Sequence, residues 1–203
     1  KDRLNGGILY KHLRHGKKKR KRYGSKETRG QIKNRVSIDE RPDIVDRKER
    51  IGDWEIDTVI GKNHQGVLVT MVERKTKFVV IGNAGRKKAD TVKDVTVDIM
   101  LPYKKRVHSI TGDNGKEFAG HEKISAELDC QFFFAHPYSS WERGLNENTN
   151  GLIRQYFPKG TDLRFVTKDD VCVVADKLNS RPRKTLGYKT PREAFMEILI
   201  RSD

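Results

Sequence analysis

The 203-residue sequence holds only two cysteines, Cys130 and Cys172, far apart and without metal-ligand spacing. That excludes a disulfide scaffold and a cysteine zinc site, and it fits a reducing cytoplasm. No run approaches the ~20 apolar residues of a membrane span, and no signal-peptide core is present. Apolar residues are modest in number, at 34% against 35% charged, so the surface must be densely charged. Trp, Tyr, Phe, Ile and Val nevertheless fall in periodic blocks, which excludes a wholly disordered chain. Acidic charge is scarce at the start. Residues 1–36 carry 14 Lys/Arg against Asp2 and Glu27, so +12 of the net +15 sits there.

The densest part of that charge is Lys17, Lys18, Lys19, Arg20, Lys21 and Arg22. Adjacent cations repel one another and do not pack by themselves. A polyanion relieves the repulsion and releases condensed counterions, so the run is expected to bind nucleic acid through phosphates. It carries no base readout of its own. Residues 37–50 mix both signs around Pro42 and read as a connector with a short helical turn. The expected division is therefore a basic arm and connector over 1–50 and a folded core over 51–203. The chain starts at Lys1 rather than Met and reads as part of a longer protein.

Strands are expected at 54–60, 66–74 and 77–82, from alternation and β-branched content. Their short connections favour an antiparallel meander. A helix over 89–101 should stop at Pro102. A strand at 107–111 is followed by a helix over 120–129, and the apolar run 131–135 suits a strand covered on both faces. Helices are expected from about 146 to 157, from Thr167 onward, and from Thr190 onward. Thr190-Pro191-Arg192-Glu193 combines an N-cap, Pro at the first helical position and a capping box. The order predicts an α/β sandwich on a mixed five-stranded sheet flanked by helices.

Three carboxylates stand out by position. Asp57 lies inside an apolar strand, where an acid is costly unless paired, hydrated or metal-bound. Asp113 ends a strand before Asn114-Gly115, at a place where α/β sheets commonly bind ligands. Glu147 lies in the first turn of a helix that follows a Gly-containing loop. Convergent, they would suit a hard cation such as Mg²⁺ or Mn²⁺. Each also has an ordinary reading, as an ion pair, a turn residue and a helix-start acid.

Four blocks turn the balance. Gly52-Asp53-Trp54-Glu55-Ile56-Asp57 resembles the first catalytic block of bacterial insertion-sequence transposases. The second block is similar to Thr111-Gly112-Asp113-Asn114-Gly115-Lys116-Glu117-Phe118-Ala119, and the third to the run from Trp141 to Gly160. Leu178 to Tyr188 also resembles that family, which is named after insertion sequence thirty and has a retroviral-integrase-like core. The resemblance extends from about Gly52 to Phe195. It implies a ribonuclease-H-like fold and an acidic triad on Asp57, Asp113 and Glu147, with 33 residues between the last two. It further implies two Mg²⁺ ions (Mn²⁺ substituting), no covalent enzyme–DNA intermediate, and cleavage and strand transfer of transposon ends into target DNA. A homodimer or higher oligomer on DNA, in a bacterial, nucleoid-associated cytoplasmic setting, goes with it. The family carries N-terminal helix-turn-helix regions, whereas this chain begins within the basic connector. Ser140-Trp141-Glu142-Arg143 stands where Pro-Trp-Gln-Arg is common.

Arg143, Asn150, Arg154, Lys159, Arg181 and Arg183 are further candidate DNA contacts, with solvated polar surface as the ordinary reading of each. Asn150 and Arg154 share a helix face with Glu147. Trp54 and Trp141 read as packing residues ahead of base-stacking platforms. His136 reads as a structural loop histidine, and both cysteines as small buried hydrophobes. The competing reading is a catalytically silent DNA-binding remnant of a transposase. A plain nuclease using the same acids is a third.

Overall fold

The computed structural model describes residues 5–8 and 32–201. Residues 5–8 form a short turn in a unit spanning Lys1–Gly30, separate from the unit Gln31–Asp203 that holds the sheet. The basic run Lys17 to Arg22 lies outside the described residues.

The sheet is built on β2 (Asp53–Ile60), β3 (Val67–Glu73) and β4 (Val79–Asn83), which pair antiparallel in sequence order. After α2 (Ala89–Met100) the chain returns as β5 (Ser109–Gly112), parallel to β2. After α3 (His121–Leu128) it adds β6 (Gln131–Phe134), parallel to β5. Pro102 falls in the 3-10 turn Leu101–Arg106 that ends α2. Helices α4 (Gly144–Tyr156), α5 (Lys168–Asn179) and α6 (Pro191–Arg201) complete the chain.

Two departures from the expected five strands concern the connector. A two-residue strand, β1 (Val36–Ser37), runs parallel to β6, giving six strands in the order β1-β6-β5-β2-β3-β4. Order around the sheet thus starts before residue 51. The reason lies in partners that reach back to it. Val45, in the short helix α1 (Asp43–Arg47), is fully buried. Its carbonyl accepts from Arg74 Nε at 3.2 Å, and Arg41 Nη1 donates to Thr111 Oγ1 at 3.0 Å. These are long-range contacts that no local pattern announces.

Strand alternation sorts the core into two faces. Trp54 and Ile56 of β2, with Val67, Val69 and Met71 of β3, pack with Val92, Met100, Ile124, Leu128 and Phe195. Val59, Leu68 and Val72 point the other way and pack with Leu152, Ile153, Val171, Val174 and Leu178 of α4 and α5. The acids Asp53, Glu55 and Asp57 share that second face of β2 by the same period. Helix α6 is tied down through Phe195, stacked on Phe78 at 4.4 Å and edge-on to Trp54 at 6.1 Å. Its capping box is formed: Thr190 N donates to Glu193 Oε2 at 2.7 Å, and Glu193 N to Thr190 Oγ1 at 3.1 Å. Thr167 and Asp170 make a second one at the start of α5.

The β4 edge is closed by side chains. Asn179, buried at the end of α5, accepts from Val79 N at 2.8 Å and donates to Val79 O at 2.8 Å. An amide matched this way stands in for a neighbouring strand and blocks further pairing. Cys130 is half-buried, and burial pushes its thiol pKa up to about 12. Cys172, expected inside, is exposed, because it falls off the α5 stripe Val171, Val174 and Leu178.

Candidate active site

Asp57 sits on β2 opposite Thr70 of β3, half-buried on the face that α4 covers. Thr58 N donates to its Oδ1 at 2.7 Å, and Asn150 Nδ2 to its Oδ2 at 3.0 Å. Thr70 Oγ1 in turn donates to Asn150 Oδ1 at 3.0 Å, which fixes the amide's orientation. Burial, opposed by Arg143 and reinforced by the negative charges of Asp113 and Glu117, pushes the Asp57 pKa up to about 6.

Asp113 follows β5 directly, on the neighbouring parallel strand. Its Oδ1 accepts from Gly115 N at 2.8 Å. A side chain at 115 would collide, because a Cβ there would lie 2.6 Å from the Glu117 carboxyl carbon and 2.8 Å from Asp113 Oδ1. Glycine therefore lets the two carboxylates approach one backbone. Glu117 is itself buried, with Thr58 Oγ1 donating to it at 3.2 Å and Lys87 Nζ paired at 2.8 Å.

Arg143 joins the two strand-borne acids. Its Nη2 lies 3.2 Å from Asp113 Oδ2 and its Nη1 3.7 Å from Asp57 Oδ2, while Nη1 donates to Ile56 O at 3.0 Å. Expected on a phosphate, this side chain is buried against carboxylates instead.

Glu147 lies exposed on α4, one turn before Asn150. The helix start is set from β2. The buried Glu55 carboxylate accepts from Asn146 N at 3.0 Å and pairs with Arg74 Nη1 at 2.7 Å. A carboxylate from another element thus satisfies an open N–H and meets the positive end of α4. Burial is the largest influence on Glu55 and raises its pKa, against the pull of Arg74 and the Asn146 N–H.

The structure brings Asp57 and Asp113 together through Arg143, and Glu147 lies exposed on α4, one turn before the Asn150 that binds Asp57. Among the described residues, no three His, Cys, Asp or Glu side chains form a group that could hold a metal ion. The donor chemistry fits a hard cation all the same. Asp57 and Asp113 offer only carboxylate oxygen, and so does Glu147 on α4.

The remaining expected contacts divide. Asn150 is committed to Asp57 and Thr70. Arg154 is half-buried and donates through Nη2 to Ile60 O at 2.6 Å, which ties α4 to the end of β2. Arg183 donates to Leu178 O at 3.2 Å. Lys159 and Arg181 are exposed. His136 is a structural clasp, its Nδ1 2.8 Å from Glu142 and its Nε2 3.0 Å from Asp39. The tryptophans part company: Trp54 is fully buried, and Trp141, expected to pack, is 72% exposed. Sequence reasoning assigned no role to Glu55, Arg74, Glu117 and Lys87. Glu55 and Glu117 lie in the quoted blocks, and for Glu55 the period shared with Asp57 was the available signal.

No protein-family model matches the chain. The fold is that of retroviral integrase catalytic cores, ribonuclease-H-like. A chain in the simian T-cell lymphotropic virus intasome in complex with PP2A regulatory subunit B56 gamma superposes with TM-score 0.57 at 21% identity, covering 71% of this chain and 54% of that one. The catalytic core domain of BIV integrase gives TM-score 0.52 at 19% identity, covering 74% and 97%. The sequence relationship is narrower. The chain is 51% identical over 98% of its length to the transposase for insertion sequence element IS4351 of Bacteroides fragilis, covering 61% of it. It is 40% identical over 89% of its length to transposase InsI for IS30A of Escherichia coli, covering 47%. The transposase for IS1086 of Cupriavidus metallidurans is 36% identical over 85% of the chain, which covers 51% of that relative. Along most of its length the chain is similar to transposases of the insertion-sequence-thirty family. It spans about half to three fifths of the length of these relatives.

Proposed function

We propose that this chain is the catalytic core of a DNA transposase that cleaves DNA at the ends of an insertion sequence and transfers the freed strand to target DNA. The observation that carries the reading is the placement of Asp57 on β2 and Asp113 at the end of the adjacent β5, with one arginine between them. Glu147 enters on α4, the helix whose start is fixed by Glu55 of the same strand. Asp57, Asp113 and Glu147 are the residues that would hold two Mg²⁺ ions. Bound there, the cations would relieve charge on the attacking and leaving oxygens of an in-line displacement.

The chain's own groups prepare that chemistry. Thr58 N and Asn150 orient both oxygens of the Asp57 carboxylate, so it does not rotate away. Arg143 offsets part of the charge of Asp57 and Asp113, which keeps two like charges close before a metal ion is bound. In cleavage, a water oxygen bonds to phosphorus, the bond to the 3′-oxygen breaks, and that oxygen gains a proton. In transfer, the 3′-hydroxyl is the nucleophile and a target phosphodiester is broken in the same sense. Lys17 to Arg22, with exposed Lys159 and Arg181, supply phosphate contacts. DNA ends and target are the partners, held by a dimer or larger assembly. Among the described residues, no helix is long and apolar enough to cross a membrane.

A catalytically silent, DNA-binding remnant is the second reading, favoured by the solvent-exposed side chain of Glu147. Nicking of supercoiled plasmid in Mg²⁺, Mn²⁺ or EDTA separates the two. Nicking that needs the cation and disappears in Asp57→Asn, Asp113→Asn and Glu147→Gln supports the enzyme. Equal metal-dependent nicking by any of these variants removes that residue from the triad. Salt-sensitive DNA binding without nicking leaves the silent reading.

A further inference from the structure

Of the two tryptophans, Trp54 is fully buried and Trp141 is 72% exposed. Trp141 lies in the short 3-10 turn Ser140–Arg143 between β6 and α4. An indole in water forgoes a large apolar contribution, so a fixed segment that presents one is shaped for an occupant. This segment is fixed just beyond the indole. Glu142 accepts from His136 N at 2.9 Å and is clasped by His136 Nδ1 at 2.8 Å. Arg143, next in sequence, is buried and bound to Ile56 O, Asp113 and Asp57. The backbone carrying Trp141 is thus pinned two residues from the carboxylate pair, while the ring is left outside.

The surroundings select the occupant. A protein partner would call for a contiguous apolar patch with a dry centre. Here the aromatics Trp141 and Tyr138 (55% exposed) alternate with His136, Ser139 and Glu142. Flat aromatic faces set among polar groups, beside a site for phosphate chemistry, match a nucleobase, which has an apolar face and polar edges. We propose that Trp141 is a stacking platform for an unpaired nucleobase next to the phosphate being cut, which makes it a positioning residue for opened DNA ends. The inference rests on the DNA-processing reading above.

Trp141 can be observed selectively, since the only other indole is buried. The full chain in EDTA is titrated with two probes, a blunt duplex and the same duplex with a short unpaired end. Tryptophan emission, acrylamide quenching and affinity are followed. The expected result is quenching of Trp141 and its protection from acrylamide with the unpaired end, both lost when the terminal bases are abasic. Trp141→Ala should weaken binding of the unpaired-end probe about tenfold, the scale of one stacked base, and leave the blunt duplex unchanged. Trp141→Phe should restore part of the affinity, and its remaining Trp54 emission should ignore DNA. Because the side chain is exposed, both variants should melt like the parent.

Binding of both probes with no Trp141 response, and equal affinity of Trp141→Ala, overturns the stacking role and leaves the DNA reading standing. No DNA binding by the parent chain overturns both. Protection of Trp141 without DNA that grows with protein concentration assigns the ring to a contact between copies and overturns the proposal.

Discussion

The Arg143 guanidinium lies 3.2 Å from the Asp113 carboxylate, and its other terminal nitrogen lies 3.7 Å from that of Asp57. One buried cation therefore holds two acids from adjacent parallel strands in register. Removing it leaves their repulsion unanswered. Arg143→Gln should lose roughly 1–3 kcal/mol of stability in EDTA, below the usual figure for a broken buried pair because the carboxylates are partly solvated. If Asp57 and Asp113 are cation ligands, Mn²⁺ should restore the variant more than it stabilises the parent, by linkage. Denaturant unfolding in EDTA and in Mn²⁺ measures this. An equal deficit in both media would make Arg143 a purely structural arginine.

Glu55 should matter as much as any residue of the proposed triad, through position rather than chemistry. It answers the buried Arg74 and the open Asn146 N–H at the start of α4. Glu55→Gln keeps the shape but leaves Arg74 without its buried counter-charge, which costs about 3–5 kcal/mol. The α4 N-terminus should then open more readily. Hydrogen exchange at the Asn146 amide should accelerate beyond the global loss, and metal-dependent nicking should fall although Asp57, Asp113 and Glu147 are untouched. A variant of parental stability and parental exchange would show that α4 is placed by other contacts.

These two residues also show what could be read from the sequence. The meander β2–β4 was legible because apolar alternation is local, and β6 because QFFF suits a strand covered on both faces. The helix start at Thr167 and the capping box at Thr190 were legible because the residues that make them lie within three positions of each other. Asp57 was legible as an acid out of place in a strand. Arg143 reads as a candidate phosphate contact because its carboxylate partners lie 30 and 86 positions away along the chain. Strand β1 has two residues, too few for a periodic signal, and exists because β6 offers an edge. Trp141 went the other way. Tryptophan suggests burial by composition, and only the pinned turn around it keeps the ring outside.

Asn179 gives a test of the edge. Its amide makes both hydrogen bonds that a neighbouring strand would make to Val79. Asn179→Ala leaves a donor and an acceptor unmatched and should destabilise the chain by about 1–3 kcal/mol. It also bares the β4 edge to other copies. The expected outcome is a lower denaturation midpoint together with concentration-dependent light scattering at temperatures where the parent stays clear. Asn179→Asp keeps the acceptor for Val79 N but loses the donor to Val79 O, and should fall between the two. Loss of stability without any scattering would mean that the edge is protected by neighbouring chain rather than by this amide.

The loop that carries Trp141 should respond to pH through His136. Its hydrogen bond to Glu142, and then that to Asp39, raise the imidazole pKa above the ordinary 6.5. The folded state therefore binds this proton more tightly than the unfolded chain does. The resulting stabilisation is complete below pH 6.5 and is lost as pH rises through the raised value. The parent melting temperature should decline across that window, and His136→Gln, which has no proton to lose, should lack that component of the slope. Proton NMR of the imidazole should place the titration above 6.5, and Glu142→Gln should move it back down by removing the larger of the two causes. An imidazole that titrates at or below 6.5 in the parent would show that the Glu142–His136–Asp39 clasp is not held in solution. The pinning of the Trp141 turn would then rest on Arg143 alone.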